Sequence, residues 1–379
     1  MSDELSAIPE VKRERINYLD TLRVIACFLV VLCHVGDYYA ASGVNGSFGV
    51  SWSKLITFTR PCVPLFILLS GTLLLPLKRS PSSFLKRRFN RVVIPFLIWS
   101  VMYVFFPLPS ETVFGGPANV FTGEMNIYAY NLMMIPINFT ASNVHFWFIY
   151  SIIGLYMFMP IISPWVERAS KKELLVFLSV WGFTLVIPYI RLWFPQIHGE
   201  CDWNTFGMLI HFSGYLGYII LGLFLHRHNT LSATKSCLIG ALLFFVGYYL
   251  TYKGLWYDIG RLNSQVVAEV NAAGWITIET CIGYLTINVA MMTAGTFMFF
   301  QKLRMPTIIT KAMNEVSKLS FGLFLVHYIL YLWIGAKLVP TWNLRPGLEE
   351  VFIAIVIFTV SYIVAKLISY LPKSKYLVG

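Results

Sequence analysis

The chain is 379 residues long, 57% hydrophobic, 16% aromatic and only 12% charged, with a mean hydropathy of +0.67. So apolar a composition excludes an ordinary water-soluble domain and fits a polytopic membrane protein. The net charge of +11 is no nucleic-acid signal, because the basic residues alternate loop by loop instead of forming one patch.

Ten apolar runs of spanning length follow in order: 19–41, 52–77, 89–109, 144–163, 173–194, 205–226, 234–252, 275–300, 316–338 and 347–370. They predict an all-α polytopic integral membrane protein of about ten transmembrane helices. No Ser/Gly linker, low-complexity tract or internal repeat divides the series, so residues 1–379 read as a single membrane domain. Clusters such as Lys12-Arg13, Lys86-Arg87-Arg88, Lys171-Lys172 and Lys302 with Arg304 fall in every second loop, whereas the opposite loops hold only Lys253, Arg261, Lys337 and Arg345. By the positive-inside rule both termini are cytoplasmic, with 1–18 as an N-terminal segment and 371–379 as a tail. Ala40-Ala41-Ser42 could pass for a signal-peptide cleavage site, but Arg23 and His34 inside the apolar core argue against cleavage.

The first run carries the most information. Arg23 and His34 sit at membrane depth, where an Arg costs about 2.5–3.5 kcal/mol on insertion scales. Their spacing is almost three helical turns, so both project from one face, roughly 16 Å apart along the axis. One groove could hold a long ligand with an anionic head at Arg23 and a reactive end at His34. The plainer alternative is a snorkelling Arg and a His satisfied by a neighbouring helix.

Lys86-Arg87-Arg88-Phe89-Asn90-Arg91 follows the second run. Such juxtamembrane clusters commonly anchor helices and bind anionic lipid. Arg88 and Arg91, three apart at a helix start, can instead converge on one anion, and Arg23 lies at similar depth on the same side. Toward the outer half of the membrane, Asp37 lies one turn beyond His34, and Arg60, His211 and Glu279 reach a similar depth, with His145 at the outer end of the fourth run. Polar groups from five helices at one depth suggest a hydrated cavity open to the outside. A structural network, Arg60–Glu279 or Arg60–Asp37, explains the same residues equally well. The six cysteines show no C-x-x-C or Cys/His ligand spacing, so neither disulfides nor a metal site is expected.

Five stretches in order carry a resemblance to a known family. They are Arg23-x₁₀-His34 after Leu19-Asp20-x-Leu22; Pro64-Leu65-Phe66-Ile67-Leu68-Leu69-Ser70-Gly71; Arg88-x-x-Arg91; His145-Phe146-Trp147-Phe148-Ile149; and Ser317 to His327 (SKLSFGLFLVH). Together they resemble the membrane-bound acyltransferase-3 family over essentially the whole chain, and within it the bacterial O-acetyltransferases of surface polysaccharides. No C-terminal esterase-like domain follows the last run. The resemblance implies transfer of an acyl group, usually acetyl, from cytoplasmic acetyl-CoA to a hydroxyl of a glycan or lipid-linked sugar at the outer face of a bacterial inner membrane. It implies Arg23, Arg88 and Arg91 as holders of the coenzyme's phosphates and His34 as general base or acyl carrier. Asp37 and Glu279 are the candidate catalytic carboxylates beside it. Arg60, Trp147 and His211 are candidates for acceptor binding, although Trp147 also suits an interfacial aromatic belt. Two other classes compete: a proton-coupled secondary transporter, broken at Pro61, Pro64 and Gly71, and a subunit of a polysaccharide-export complex.

Overall fold

A chain in lipid must satisfy its backbone polar groups internally, and apolar runs of this length do so as helices. The computed structural model describes residues 15–42, 49–105, 127–139, 141–193, 209–264, 280–335, 345 and 347–379, and all regular structure among them is helical. The helices are α1 (Asn17–Ser42), α2 (Val50–Thr59), α3 (Cys62–Leu74), α4 (Pro81–Arg88), α5 (Ile94–Phe105), α6 (Ile127–Met134), α7 (Trp147–Arg168) and α8 (Lys171–Thr184). They continue as α9 (Ile187–Trp193), α10 (Leu216–His228), α11 (Ala233–Ser264), α12 (Ile287–Lys302), α13 (Thr307–Lys318), α14 (Ser320–Leu330) and α15 (Leu348–Ser369).

Eight described segments are long and apolar enough to cross a membrane, and α13 with α14, bent by 72°, makes a ninth if the pair is one span. The run expected at 205–226 is represented by α10, with thirteen helical residues, and 205–208 lie outside the described part. The run expected from 316 proves to be two elements. α13 is amphipathic and ends at Leu319, after which α14 turns into the bundle.

Helix α1 is the centre of the bundle. Leu22 and Ala26 are fully buried, and it packs against α2, α3, α12, α13, α14 and α15. Elsewhere backbones approach closely because small residues allow it, which is how membrane helices associate when lipid offers no hydrophobic drive between them. At the α3–α10 contact a Cβ on Gly71 would lie 2.1 Å from the Ile219 carbonyl oxygen, and one on Gly222 would lie 2.2 Å from that of Leu68.

Two departures from regular helix position the functional residues. Pro61 has no N–H and crowds the turn before it, so the second span divides into α2 and α3, with Arg60 at the break. The third span passes through a π-helical turn, Phe89–Val93, which directly follows Arg88 and contains Arg91.

Candidate active site

Loops that the charge pattern assigns to one side of the membrane meet in one cavity of about 1170 Å³. Arg23 from α1, Lys78, and Arg88 and Arg91 at the start of the third span all line it, with Arg15, Arg227 and Lys318. One carboxylate, Asp20, lies among these seven cations. It accepts from Arg15 Nε at 2.5 Å, from Arg23 Nη1 at 3.1 Å and from Ser317 Oγ at 2.6 Å. Ser317 Oγ in turn accepts from Arg23 Nη1 at 2.9 Å, so α1 and α13 are tied together beside the cavity. Arg227 donates to the Val166 carbonyl at 2.7 Å. Among the described residues, neither Arg88 nor Arg91 has a carboxylate partner. The Arg88 guanidinium lies over the rings of Phe84 and Tyr156, 5.7 and 5.6 Å from their centroids, and its Nε is buried without a hydrogen bond. The cavity therefore offers an excess of cations, among them Arg88 held against aromatic rings and, with Arg91, paired to no carboxylate of the described residues, which suits a polyanion.

The deep end of this cavity is apolar, lined by Phe66, Phe148, Ile149 and Phe324. His34 is not among the lining residues: Phe148 and Phe324 meet edge to face at 5.8 Å in this wall, and Phe324 in turn contacts His145 and His327, so the single groove expected from Arg23 to His34 is not continuous.

Behind that layer three imidazoles cluster. His34 from α1 lies 5.6 Å from His327 of α14 and 6.4 Å from His145, between ring centroids, and His145 lies 5.1 Å from His327. His145 sits in the 3₁₀ turn Ala141–Phe146 that leads into α7. Its ring stacks on Tyr328 at 4.5 Å and contacts Tyr103 and Phe324. His145 and His327 are 2% and 0% exposed, whereas the His34 side chain keeps 16% and Asp37 28%. Asp37 Oδ2 is 3.8 Å from His34 Nδ1, one turn along the same helix, in ion-pair range and beyond a hydrogen bond.

Arg60 is 8% exposed in the α2–α3 break. It donates through Nε to the Ile56 carbonyl at 3.2 Å, places Nη2 3.9 Å from Cys33 Sγ, and lies 5.5 Å over the Tyr284 ring. Tyr284 stacks on Trp147 at 5.8 Å, so Arg60, Tyr284 and Trp147 form a continuous cation–aromatic group next to the residue that precedes His34. His211 stands apart. It is exposed on the 3₁₀ turn Ile210–Phe212, which packs beside α8. Glu279, and with it the Arg60–Glu279 pairing, lies outside the described residues.

The structure thus brings together Arg23, Arg88 and Arg91 in one place, and His34, Asp37, Arg60 and Trp147 in another. It adds His327, Tyr328 and Asp20, which sequence reasoning did not assign to a site. His327 is one turn after Phe324 on an otherwise apolar helix, and the sequence marked it only as the last residue of the stretch Ser317 to His327, with no role attached. Among the described residues, no group of three His, Cys, Asp or Glu is placed to hold a metal ion.

The described residues form a helical bundle with a cationic cavity on one side of a buried imidazole cluster, the architecture of a multi-pass membrane protein. The sequence matches the acyltransferase-3 family, described as an acyltransferase domain, over residues 16–369, and the chain belongs to that family. No curated protein and no solved structure matched it. Family membership makes acyl transfer its chemistry.

Proposed function

We propose that this protein takes an acetyl group from cytoplasmic acetyl-CoA and transfers it to a hydroxyl of a surface glycan or lipid-linked sugar at the outer face of a bacterial cytoplasmic membrane. The observation that carries this reading is the cavity itself: seven cations at its mouth, with Arg88 and Arg91 unneutralised, and a deep end that abuts the imidazole cluster. The coenzyme's phosphates would engage Arg23, Arg88 and Arg91 in charge-assisted bonds. Its uncharged arm matches the apolar deep end, and displacing Phe148 and Phe324 together with the His145 and His327 rings behind them would bring the thioester to His34.

At His34 the imidazole acts as general base on the acceptor hydroxyl, with the Asp37 carboxylate 3.8 Å from its Nδ1 to stabilise the imidazolium that forms. Trp147 and Tyr284 offer faces for a sugar ring, with Arg60 beneath them.

The test is transfer of labelled acetyl from acetyl-CoA to membrane glycolipid or surface glycan by membranes containing the protein. Wild-type membranes should label the acceptor. His34→Gln should abolish labelling while the protein still binds acetyl-CoA, because the charged mouth lies roughly 16 Å along the helix. Turnover by His34→Gln near the wild-type rate would sink the assignment. Substrate flux coupled to protons without any labelling would favour the transporter.

A further inference from the structure

His145 and His327 have no part in the reaction as described so far, yet they fill the space between the donor cavity and His34. Phe324, which lines the cavity, contacts His145 at 5.3 Å and His327 at 5.6 Å. His327 Nδ1 is 2.6 Å from the Phe324 carbonyl oxygen. That contact fixes the tautomer: Nδ1–H donates to the carbonyl, and Nε2 carries a free lone pair. This Nε2 is buried without a hydrogen-bond partner in the protein. Both ring nitrogens of His145 are in the same condition. Three buried ring nitrogens without partners are costly, since each such group forfeits about 1–3 kcal/mol. Neighbouring phenols do not relieve them. Tyr103 Oη is committed, donating to the Leu325 carbonyl at 2.9 Å and accepting from the Ile329 amide at 3.2 Å. Tyr328 presents its ring to His145, and its own hydroxyl has no partner. Asp37 faces His34. Such unsatisfied nitrogens mark a place where a proton or a reacting group is handled.

The chemistry on the donor side requires a proton. When the thioester is cleaved, sulfur departs into surroundings walled by Phe146, Phe148 and Phe324, where a bare thiolate would be stripped of water. We propose that His327 and His145 form a second imidazole centre that receives from His34 the proton of the acceptor hydroxyl and delivers it to the departing sulfur. The inference rests on the proposed acetyl-CoA-dependent transfer. In this step the acyl carbon–sulfur bond breaks and the acyl carbon–oxygen bond forms. The hydroxyl proton moves to His34, passes from there to the free lone pair of His327 Nε2, and goes from the inner pair to the sulfur, which leaves as a thiol. No proton is gained or lost overall.

The experiment compares two donors on the full chain in lipid: acetyl-CoA and its oxygen-ester analogue, in which oxygen replaces the thioester sulfur. Both carry the same charged end, but the alkoxide leaving group needs a proton far more than the thiolate does. His327→Gln and His145→Gln should each retain acetyl-CoA binding. Each should slow turnover from acetyl-CoA by on the order of 10²-fold, and turnover from the oxygen ester by a larger factor. His34→Gln should slow both donors alike. If both inner variants lost the same factor with the two donors, lost acetyl-CoA binding as well, or lost nothing, the second centre would be excluded. Absence of transfer by the wild-type protein would instead remove the acetyl-CoA reading on which the inference stands.

Discussion

At the scale of single residues, the cations of the cavity are not equivalent. Arg23 is partly neutralised by Asp20 and braced by Ser317, so it contributes as much to joining α1 and α13 as to holding a ligand. Arg88 and Arg91 have no such duty, and they are the pair on which the donor's affinity should depend. Arg88→Ala and Arg91→Ala should each remove a charge-assisted phosphate contact of roughly 1.5–3 kcal/mol. That corresponds to about 10- to 100-fold weaker acetyl-CoA binding. Arg88→Lys should rescue only in part, since an ammonium neither makes the bidentate fork nor lies flat on Tyr156 as a guanidinium does. Isothermal titration of the purified variants reads this directly, and unchanged affinity in both alanine variants would reassign the pair to lipid anchoring. Arg23→Ala should weaken binding as well, but with a loss of thermal stability the other two do not show.

At the scale of elements, the helices were legible because length and hydropathy alone demand them, and Arg23, His34, Arg88 and Arg91 were legible because charge at membrane depth needs a reason. What the sequence could not show is how elements bend and meet. Ile308, Ile309, Ala312, Met313 and Val316 share a face at helical spacing, yet the polar residues between them made this segment read as a connection rather than as α13. His327 escaped notice because its role depends on α14 packing beside α1 and the turn carrying His145, contacts that no local pattern encodes. Arg60 was seen as a charge, but its place in the α2–α3 break follows from Pro61. The α3–α10 contact gives this scale its own test. Gly222→Ala should destabilise the protein by about 1–3 kcal/mol, because the methyl would overlap the Leu68 carbonyl and push the helices apart. Gly154→Ala, where nothing lies within 4 Å, should be neutral or slightly stabilising through helix propensity. Thermal unfolding in detergent separates the two, and equal behaviour would mean the α3–α10 packing is looser than described.

At the scale of the whole molecule, the seven cavity cations come from segments far apart in sequence, and all of them meet at one end of the bundle. The basic loops and the cavity thus lie at the same end of the bundle, the end that the positive-inside rule would put on the cytoplasmic side. A cysteine placed at 82–85, beside Arg88, should resist an impermeant thiol reagent added to intact cells, and cysteines in the 42–51 and 110–143 loops should react. Cys201, the native cysteine in an expected loop, must first be replaced, while Cys27, Cys33, Cys62 and Cys281 are buried. Labelling at 82–85 from outside would invert the protein and place the donor cavity on the wrong face.

The aromatic layer formed by Phe148 and Phe324 has a second consequence, which concerns the membrane rather than the reaction. A cavity of this size thins the insulating part of a bilayer over its whole depth, and an energised membrane stores voltage and a pH difference across that insulation. Two phenyl rings stand between the cationic chamber and a chain of imidazoles well suited to passing protons onward. Under the proposed transfer the two rings would act as a dielectric plug that lets acyl groups cross while the gradient is kept. Phe324→Ala should turn the protein into a slow proton leak, visible as faster collapse of a pH gradient in proteoliposomes even when no donor is present. An unchanged decay rate would show that the insulation lies elsewhere in the bundle.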